Sequence, residues 1–420
     1  MPVSVHPSLP TLAGSLLLAT VLISCSAPPG ELPQNLAPSF SGSPSAGSTS
    51  APATSTPTPT PAAVDPVTLT SNVKDGSTKV KVDTLVSAKA SAGTLSEVKL
   101  SYAYTDGKGT TQKGSVSGEL NKNKTEWVAD ERLEPAASYK LTMVGSNAVK
   151  EKTEESTSFK TQNLTLSQQT FASLYPLPDS LVGIGMPVVV NFDVPVKNKK
   201  EFERNLVVKS SPAQKGTWHW YNDREVRFRP AKFWKPGTEV KVQANLNGLN
   251  AGGGIYGQSS ETTSFEVGRS FVTKVDLAKK VAKVYRNGDK VRTIPISAGK
   301  NGWQTRSGTK LVMAKEYNKK MTNEMIGAKE DYSLTAQYAI RITNSGEFLH
   351  SAPWNAGYFG RSNASHGCVG MSNSNAGWLY ERVLIGDPVI TTGSSRKLEK
   401  GNGYSDWNIS YKQYKKGSSI

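Results

Sequence analysis

The sequence predicts a mainly β protein, with two repeated sandwich modules followed by a third β-rich domain. Three observations carry that expectation. From about Val67 onward, apolar residues recur at every second position in short runs separated by turn residues, the period of a half-buried strand. A weak internal repeat marks two copies of one module of about a hundred residues, the size of an immunoglobulin-like sandwich. Hydrophobic residues make up 36% of the 420 residues and charged ones 20%, a deficit that suits small β domains joined to an unstructured stretch.

The start of the chain reads as an export signal. Leu12 to Ser24 is apolar, shorter than the ~18 residues a spanning helix needs but suited to a signal h-region. It ends in Leu22-Ile23-Ser24-Cys25, which resembles a bacterial lipobox, in which the Cys is acylated and becomes the new N-terminus. Met1 to Ser15 contains no Lys or Arg, a departure from the usual n-region. Residues 1–24 are therefore expected to be a lipoprotein signal peptide and Cys25 the lipidation site. An ordinary cleaved signal with Cys25 incidental is the alternative. Two acyl chains, at ~0.8 kcal/mol per buried CH2, give stable anchoring, so the protein is expected on the outer face of the cell membrane. Residues 25–64 are largely Ser, Thr, Pro, Ala and Gly. Such a stretch buries no core and reads as a disordered tether open to O-glycosylation.

The two sandwich modules are expected at 65–162 and 163–268. Ser96 to Tyr104 alternates and runs into Asp106-Gly107, a strand and a turn. Val188 to Val194 and Glu225 to Arg229 alternate likewise. Pro135-Ala136-Ala137-Ser138-Tyr139-Lys140-Leu141 parallels Pro236-Gly237-Thr238-Glu239-Val240-Lys241-Val242, and each is followed by a Thr-Ser-Phe, at Thr157 and Thr263. The modules read as a spacer or a wall-binding stalk. Trp218 and Trp220 share one strand face and His219 the other. A packed face suits them better than a carbohydrate platform, and His219 has no partner visible in the sequence.

The third domain spans 269–393, followed by a short extension, 394–420. Phe271 to Leu277, Val281 to Tyr285 and Val291 to Ile296 read as strands, with Asn287-Gly288 as a hairpin turn. Ser372 or Ser374 can cap a helix through Trp378, Leu379, Tyr380 and Val383 that ends near Gly386, which would place Cys368 just before a helix N-terminus.

Cysteine use narrows the chemistry. Only Cys25 and Cys368 occur, so there is no disulfide framework and no four-cysteine zinc module. Beyond the signal segment the histidines are His219, His350 and His366, and the last two lie near Cys368 in sequence. A Cys nucleophile needs an imidazole or other cationic neighbour, and an acyl-transfer oxyanion needs backbone N–H donors, which Gly367 lets a substrate approach. A zinc site on His350, His366 and Cys368 is permitted by the spacing, though no carboxylate stands obviously beside them. Each residue taken singly is also compatible with a structural role.

His350-Ser351-Ala352-Pro353-Trp354 followed by Ser365-His366-Gly367-Cys368 resembles the L,D-transpeptidases of bacterial cell-wall synthesis, with their YkuD-type catalytic domain. The resemblance covers about Arg269 to the C-terminus, and tandem Ig-like modules behind a lipobox resemble the actinobacterial members. It implies that Cys368 is the nucleophile and His350 the base, oriented by the Ser351 carbonyl. His366 and Gly367 would shape the site, with the Gly367 and Cys368 amides as candidate oxyanion donors. Tyr332, at the lid position, would line the substrate pocket together with Met321, at the start of the Met321–Asp331 lid segment. Trp354 and Ser365 would support the substrate wall. The C-terminal extension, with Asp406-Trp407-Asn408-Ile409, would pack on the catalytic domain. Two positions depart from the family pattern: Gly370 stands where Asn or Arg is common, and Thr305-Arg306-Ser307-Gly308 replaces Thr-Pro-x-Gly.

The implied reaction is 3→3 cross-linking of peptidoglycan stem peptides through a cysteine acyl-enzyme, with carbapenem-type β-lactams as acylating inhibitors and no metal or organic cofactor. An L,D-carboxypeptidase of the same fold and a non-catalytic wall-binding lipoprotein are the alternatives. Lys plus Arg number 50 against 34 Asp plus Glu, a formal +16 that suits polyanionic surroundings at the wall. Nucleic acid, the usual partner of basic chains, is not one an exported protein meets routinely.

Overall fold

The computed structural model describes residues 64–420. The signal, Cys25 and the tether through residue 63 lie outside the described residues. Among those described, no helix is long and apolar enough to cross a membrane.

The repeat seen in the sequence becomes two sandwiches. In the first, Thr68–Ser71, Ser87–Ser91, Glu126–Ala129 and Gly118–Leu120 form one sheet, and Thr111–Val116, Thr94–Thr105, Ser138–Ser146 and Lys152–Lys160 the other. Leu95, Leu100, Leu133 and Leu141 are fully buried in its core. In the second, a four-stranded and a six-stranded sheet enclose Val188, Val190, Phe202, Val226 and Val242. The repeated segments are equivalent strands. Tyr139 pairs with Phe159 in one module, and Val240 with Phe265 in the other. Each repeated strand follows a turn with positive φ, at Ala136 (53°) and Gly237 (71°).

The third domain holds two sheets of its own. Asp289–Pro295, Val281–Arg286, Phe271–Asp276, Pro388–Thr392 and Gly308–Leu311 make the first; Ala314–Thr322, Ser333–Arg341, Phe348–Ser351 and Val369–Met371 make the second. The hairpin at Asn287-Gly288 turns with φ of 53° and 97°, as a type I′ connection requires. Ser372 caps the helix Asn373–Arg382, its Oγ accepting from the Asn375 N–H. Ala376, Leu379 and the following Val383 pack into the core of this third domain with Ile340, Leu349 and Val369.

One expectation changes and another is extended. Cys368 precedes the strand Val369–Met371, not a helix, because these residues pair in parallel with Phe348–Ser351. The helix dipole, which fades within one turn, therefore does not act on the thiol. The C-terminal extension, expected on the catalytic domain, spans that domain and the second sandwich. Asn408 exchanges hydrogen bonds with Thr309 (2.7 and 2.8 Å), while Asp406 pairs with buried Arg227 at 3.0 Å and Tyr414 stacks on His219 at 4.6 Å. His219 Nδ1 lies 2.8 Å from the Tyr414 carbonyl, the partner its own strand does not reveal. Gly417 lies directly against the His219 ring, where a Cβ would come within 2.1 Å of Nδ1. Trp218 and Trp220 are core residues, their indoles donating to the Leu206 carbonyl and Glu203.

Candidate active site

The site grows from one strand pair. In the parallel register Leu349 pairs with Val369, His350 with Gly370 and Ser351 with Met371. Leu349, Val369 and Met371 point into the core and are fully buried. The alternate residues, Phe348, His350, Cys368 and Gly370, therefore face the other way and line a cavity of about 610 Å³, large enough for a peptide segment. Ser365, His366, Trp354, Tyr332 and Met321 line it too. Of the residues singled out in the sequence, Ser351 and Gly367 stand behind the wall and act through their backbones.

The His350 Nδ1–H donates to the Ser351 carbonyl at 2.7 Å. That bond selects the tautomer with Nε2 unprotonated, free to accept a proton from the cavity side. Burial holds the His350 imidazole below its ordinary pKa, partly offset by the Ser351 bond. Burial also pushes the Cys368 thiol up to about 12, against an opposing backbone hydrogen bond from Phe348. Both shifts favour the uncharged forms, thiol and neutral imidazole. The thiol contacts the Gly346 carbonyl at 3.5 Å, and Trp354 stacks over His350 with centroids 6.0 Å apart.

The loop before Cys368 is held by side-chain hydroxyls. Ser365 Oγ donates to the Cys368 carbonyl (2.6 Å) and accepts from the Gly367 N–H (3.1 Å). Thr305 Oγ1 donates to the Gly367 carbonyl at 2.7 Å. Gly367 has φ of 124°, a conformation that L side chains rarely adopt. Of the two amides expected to serve as oxyanion donors, that of Gly367 is already engaged with Ser365, which leaves the Cys368 amide. Gly370 is constrained by packing, since a Cβ there would approach Ala352 Cβ to 2.8 Å.

His366 stands at the mouth. Its ring stacks on Tyr332 (5.2 Å, 16°), meets the edge of Trp303 at 5.2 Å, and hydrogen-bonds Glu330, which also pairs with Lys300 at 2.8 Å. Lys300 and His366 hold the exposed Glu330 carboxyl below its usual range. His366 therefore points to Glu330 and not to Cys368. Among the described residues no three His, Cys, Asp or Glu side chains gather as a metal-ligating group.

Sequence reasoning missed the charges behind and beside the pocket. Lys310 and Glu347 form a buried pair at 2.6 Å, and Arg306 adds a second bond to Glu347 at 3.0 Å. Arg341 lines the cavity. Only the position of Glu347, three residues before His350, hinted at this; Lys310 and Arg341 reach the site from other strands.

A Cys and a His on adjacent strands, lining one peptide-sized cavity in a β domain behind two sandwiches, have the layout of a thiol acyl-transfer site. Residues 270–391 match the L,D-transpeptidase catalytic domain, and residues 77–250 match a bacterial Ig domain that runs across both sandwiches. L,D-transpeptidase 2 of Mycobacterium tuberculosis is 32% identical over 84% of this chain and 85% of its own length. L,D-transpeptidase 1 of the same species is 34% identical over 53% of this chain and 84% of its own length. The structure of the L,D-transpeptidase LdtMt1 in complex with imipenem aligns over 53% of this chain and 98% of its own, at 34% identity with a TM-score of 0.47. This chain belongs to the L,D-transpeptidase family and is an acyltransferase.

Proposed function

We propose that the protein forms 3→3 cross-links between peptidoglycan stem peptides through an acyl-enzyme on Cys368. The observation that carries this reading is the His350 tautomer: Nδ1–H is tied to the Ser351 carbonyl, and the ring, facing the same cavity as Cys368, keeps Nε2 for the proton.

Since both groups rest neutral, thiolate forms as the carbonyl is attacked. Cys368 Sγ bonds to the carbonyl carbon of the third stem residue, and its proton passes to His350 Nε2. The carbonyl oxygen becomes an oxyanion beside the Cys368 amide. As the tetrahedral intermediate collapses, the C–N bond breaks and His350 returns the proton to the leaving D-Ala amine. The side-chain amine of a second stem then attacks the thioester, His350 takes its proton, and the amide cross-link leaves with Sγ reprotonated. Two thioester steps replace one amide exchange.

The lipobox residues Leu22 to Cys25 and the Ser/Thr/Pro/Ala tether support anchoring to the outer face of the membrane, with the catalytic domain held out toward the wall. A β-lactam of the carbapenem type would acylate Cys368 by the same attack, the ring C–N bond opening and the ring nitrogen taking the proton.

Intact-mass spectrometry after incubation with a carbapenem tests the nucleophile. The expected adduct is one inhibitor per chain, absent in Cys368→Ala; an adduct that survives this substitution rules the mechanism out. A tetrapeptide stem supplied with and without an amine acceptor then reads the outcome: dimer for transpeptidation, tripeptide alone for a carboxypeptidase, no reaction for a non-catalytic wall protein.

A further inference from the structure

Three neighbouring strands place Arg341, Phe348 and Cys368 in one row. Arg341 pairs with Phe348 in the antiparallel register. The parallel register Leu349 to Val369, continued back by one residue, sets Cys368 on the other side of Phe348. Residues in such a row point to one face, and all three line the catalytic cavity. At ~4.8 Å between strands, the Arg341 and Cys368 backbones are about 10 Å apart. The arginine closes that gap by leaning over the phenylalanine, its guanidinium carbon 4.5 Å from the Phe348 ring centroid.

The guanidinium is under-used where it stands. Nη1 donates to the Thr343 and Asn344 carbonyls at 3.3 and 3.4 Å, and Nη2 has no partner among the described residues. The nearest carboxylate, Glu316, stays 4.0 Å from Nε and is held instead by Lys319 at 2.8 Å. Lys319 also lines the cavity. Two cations share one carboxylate, so this end of the cavity carries one unbalanced positive charge. A planar fork stacked on an aromatic ring, with donors to spare, is suited to a carboxylate.

We propose that Arg341 binds the terminal carboxylate of the donor stem and so selects stems that end one residue beyond the bond to be cut. The inference rests on the transpeptidase reading above. With Sγ at the carbonyl of the third residue, the carboxylate of the leaving residue lies about one residue further, ~4 Å, a span that a guanidinium leaning over Phe348 covers. A longer or amidated stem brings no charge to that place.

Two donors test it: a tetrapeptide stem ending in a free carboxylate, and the same stem ending in a primary amide, each with the amine acceptor. A charged hydrogen bond gained by one donor alone predicts that wild-type kcat/KM favours the acid by about 10- to 100-fold. In Arg341→Gln that ratio falls to near one, and Arg341→Lys, which keeps the charge but not the fork, restores part of it. Equal turnover of both donors by wild type overturns the inference without any variant. So does a loss in Arg341→Gln that is the same for both donors. A fall in Cys368 alkylation by iodoacetamide as large as the fall in acid-donor turnover would assign Arg341 to the thiol and also overturn it. Should neither donor give a Cys368-dependent product, the transpeptidase reading itself fails, an outcome distinct from equal turnover.

Discussion

Replacing Lys310 with Met removes a charge from one of the most enclosed ion pairs in the catalytic domain. Lys310 is 0% exposed and Glu347 3%. The Lys310 Nζ is 2.6 Å from Glu347 Oε2, while Arg306 holds Oε1 through Nη1 (3.0 Å) and its backbone N–H (2.9 Å). Methionine fills nearly the same space but leaves Oε2 buried and unpartnered. Breaking a buried pair from one side costs ~3–5 kcal/mol. Arg306 continues to serve Oε1, so the lower end, about 3 kcal/mol, is expected. For a unit of 150–250 residues each kcal/mol moves the melting midpoint by about 2–4 °C, so the catalytic-domain transition should fall by roughly 6–12 °C in calorimetry at pH 7. Lys310→Met combined with Glu347→Gln removes both charges of the pair while the glutamine Oε1 still accepts from Arg306 Nη1 and its backbone N–H, and should recover part of the loss. Acylation should follow the same pattern, because Glu347 sits between Gly346, whose carbonyl meets the Cys368 thiol, and Phe348. A single variant melting within 2 °C of wild type, or a double variant less stable than the single, would refute the reasoning.

The remaining expectations concern the base, the tail and the anchor. His350→Ala should slow acylation by ~10²–10⁴, and near-normal rates would refute its role as the base. Only the neutral ring accepts the thiol proton, and burial lowers the His350 pKa. The acid limb of activity should therefore fall below the ordinary imidazole value of about 6.5; an acid limb centred above pH 7 contradicts the assignment. Asp406→Asn leaves buried Arg227 without its 3.0 Å partner and weakens the 2.9 Å bond from the Tyr414 hydroxyl. A loss of ~3 kcal/mol should appear as faster proteolysis within 394–420, and unchanged cleavage would count against a tail clamped on the second sandwich. Cys25→Ala should shift the protein from the membrane to the soluble fraction, and continued lipid labelling would refute the lipobox.

Most of the surroundings of Cys368 are legible in the sequence because they are local. His350, Ser351 and Trp354 fall in one short segment, as do Ser365, His366, Gly367 and Cys368, so the motif itself brings these groups near one another once the two strands pair. The lid residues Met321 and Tyr332 were placed only through the family resemblance, and they do line the cavity. What escaped was either masked by an equally plausible local pattern or contributed from afar. Ser372 caps a helix as expected, yet three residues of strand intervene after Cys368, because Val369 and Met371 find a core partner in Phe348–Ser351 before the helix begins. Nothing near His219 announces Tyr414, nor near Arg227 announces Asp406.

The sequence alone determined the local facts: alternation, turn chemistry at Asn287-Gly288, the two-module repeat and the Cys–His motif, all set by interactions within a few residues or by composition. The tertiary structure decided which charges reach the pocket and where the tail lies. Lys310 with Glu347, Arg341 over Phe348, and the extension across two domains depend on sheet register and packing between segments remote in the chain, and those long-range contacts leave no periodic trace in the order of residues.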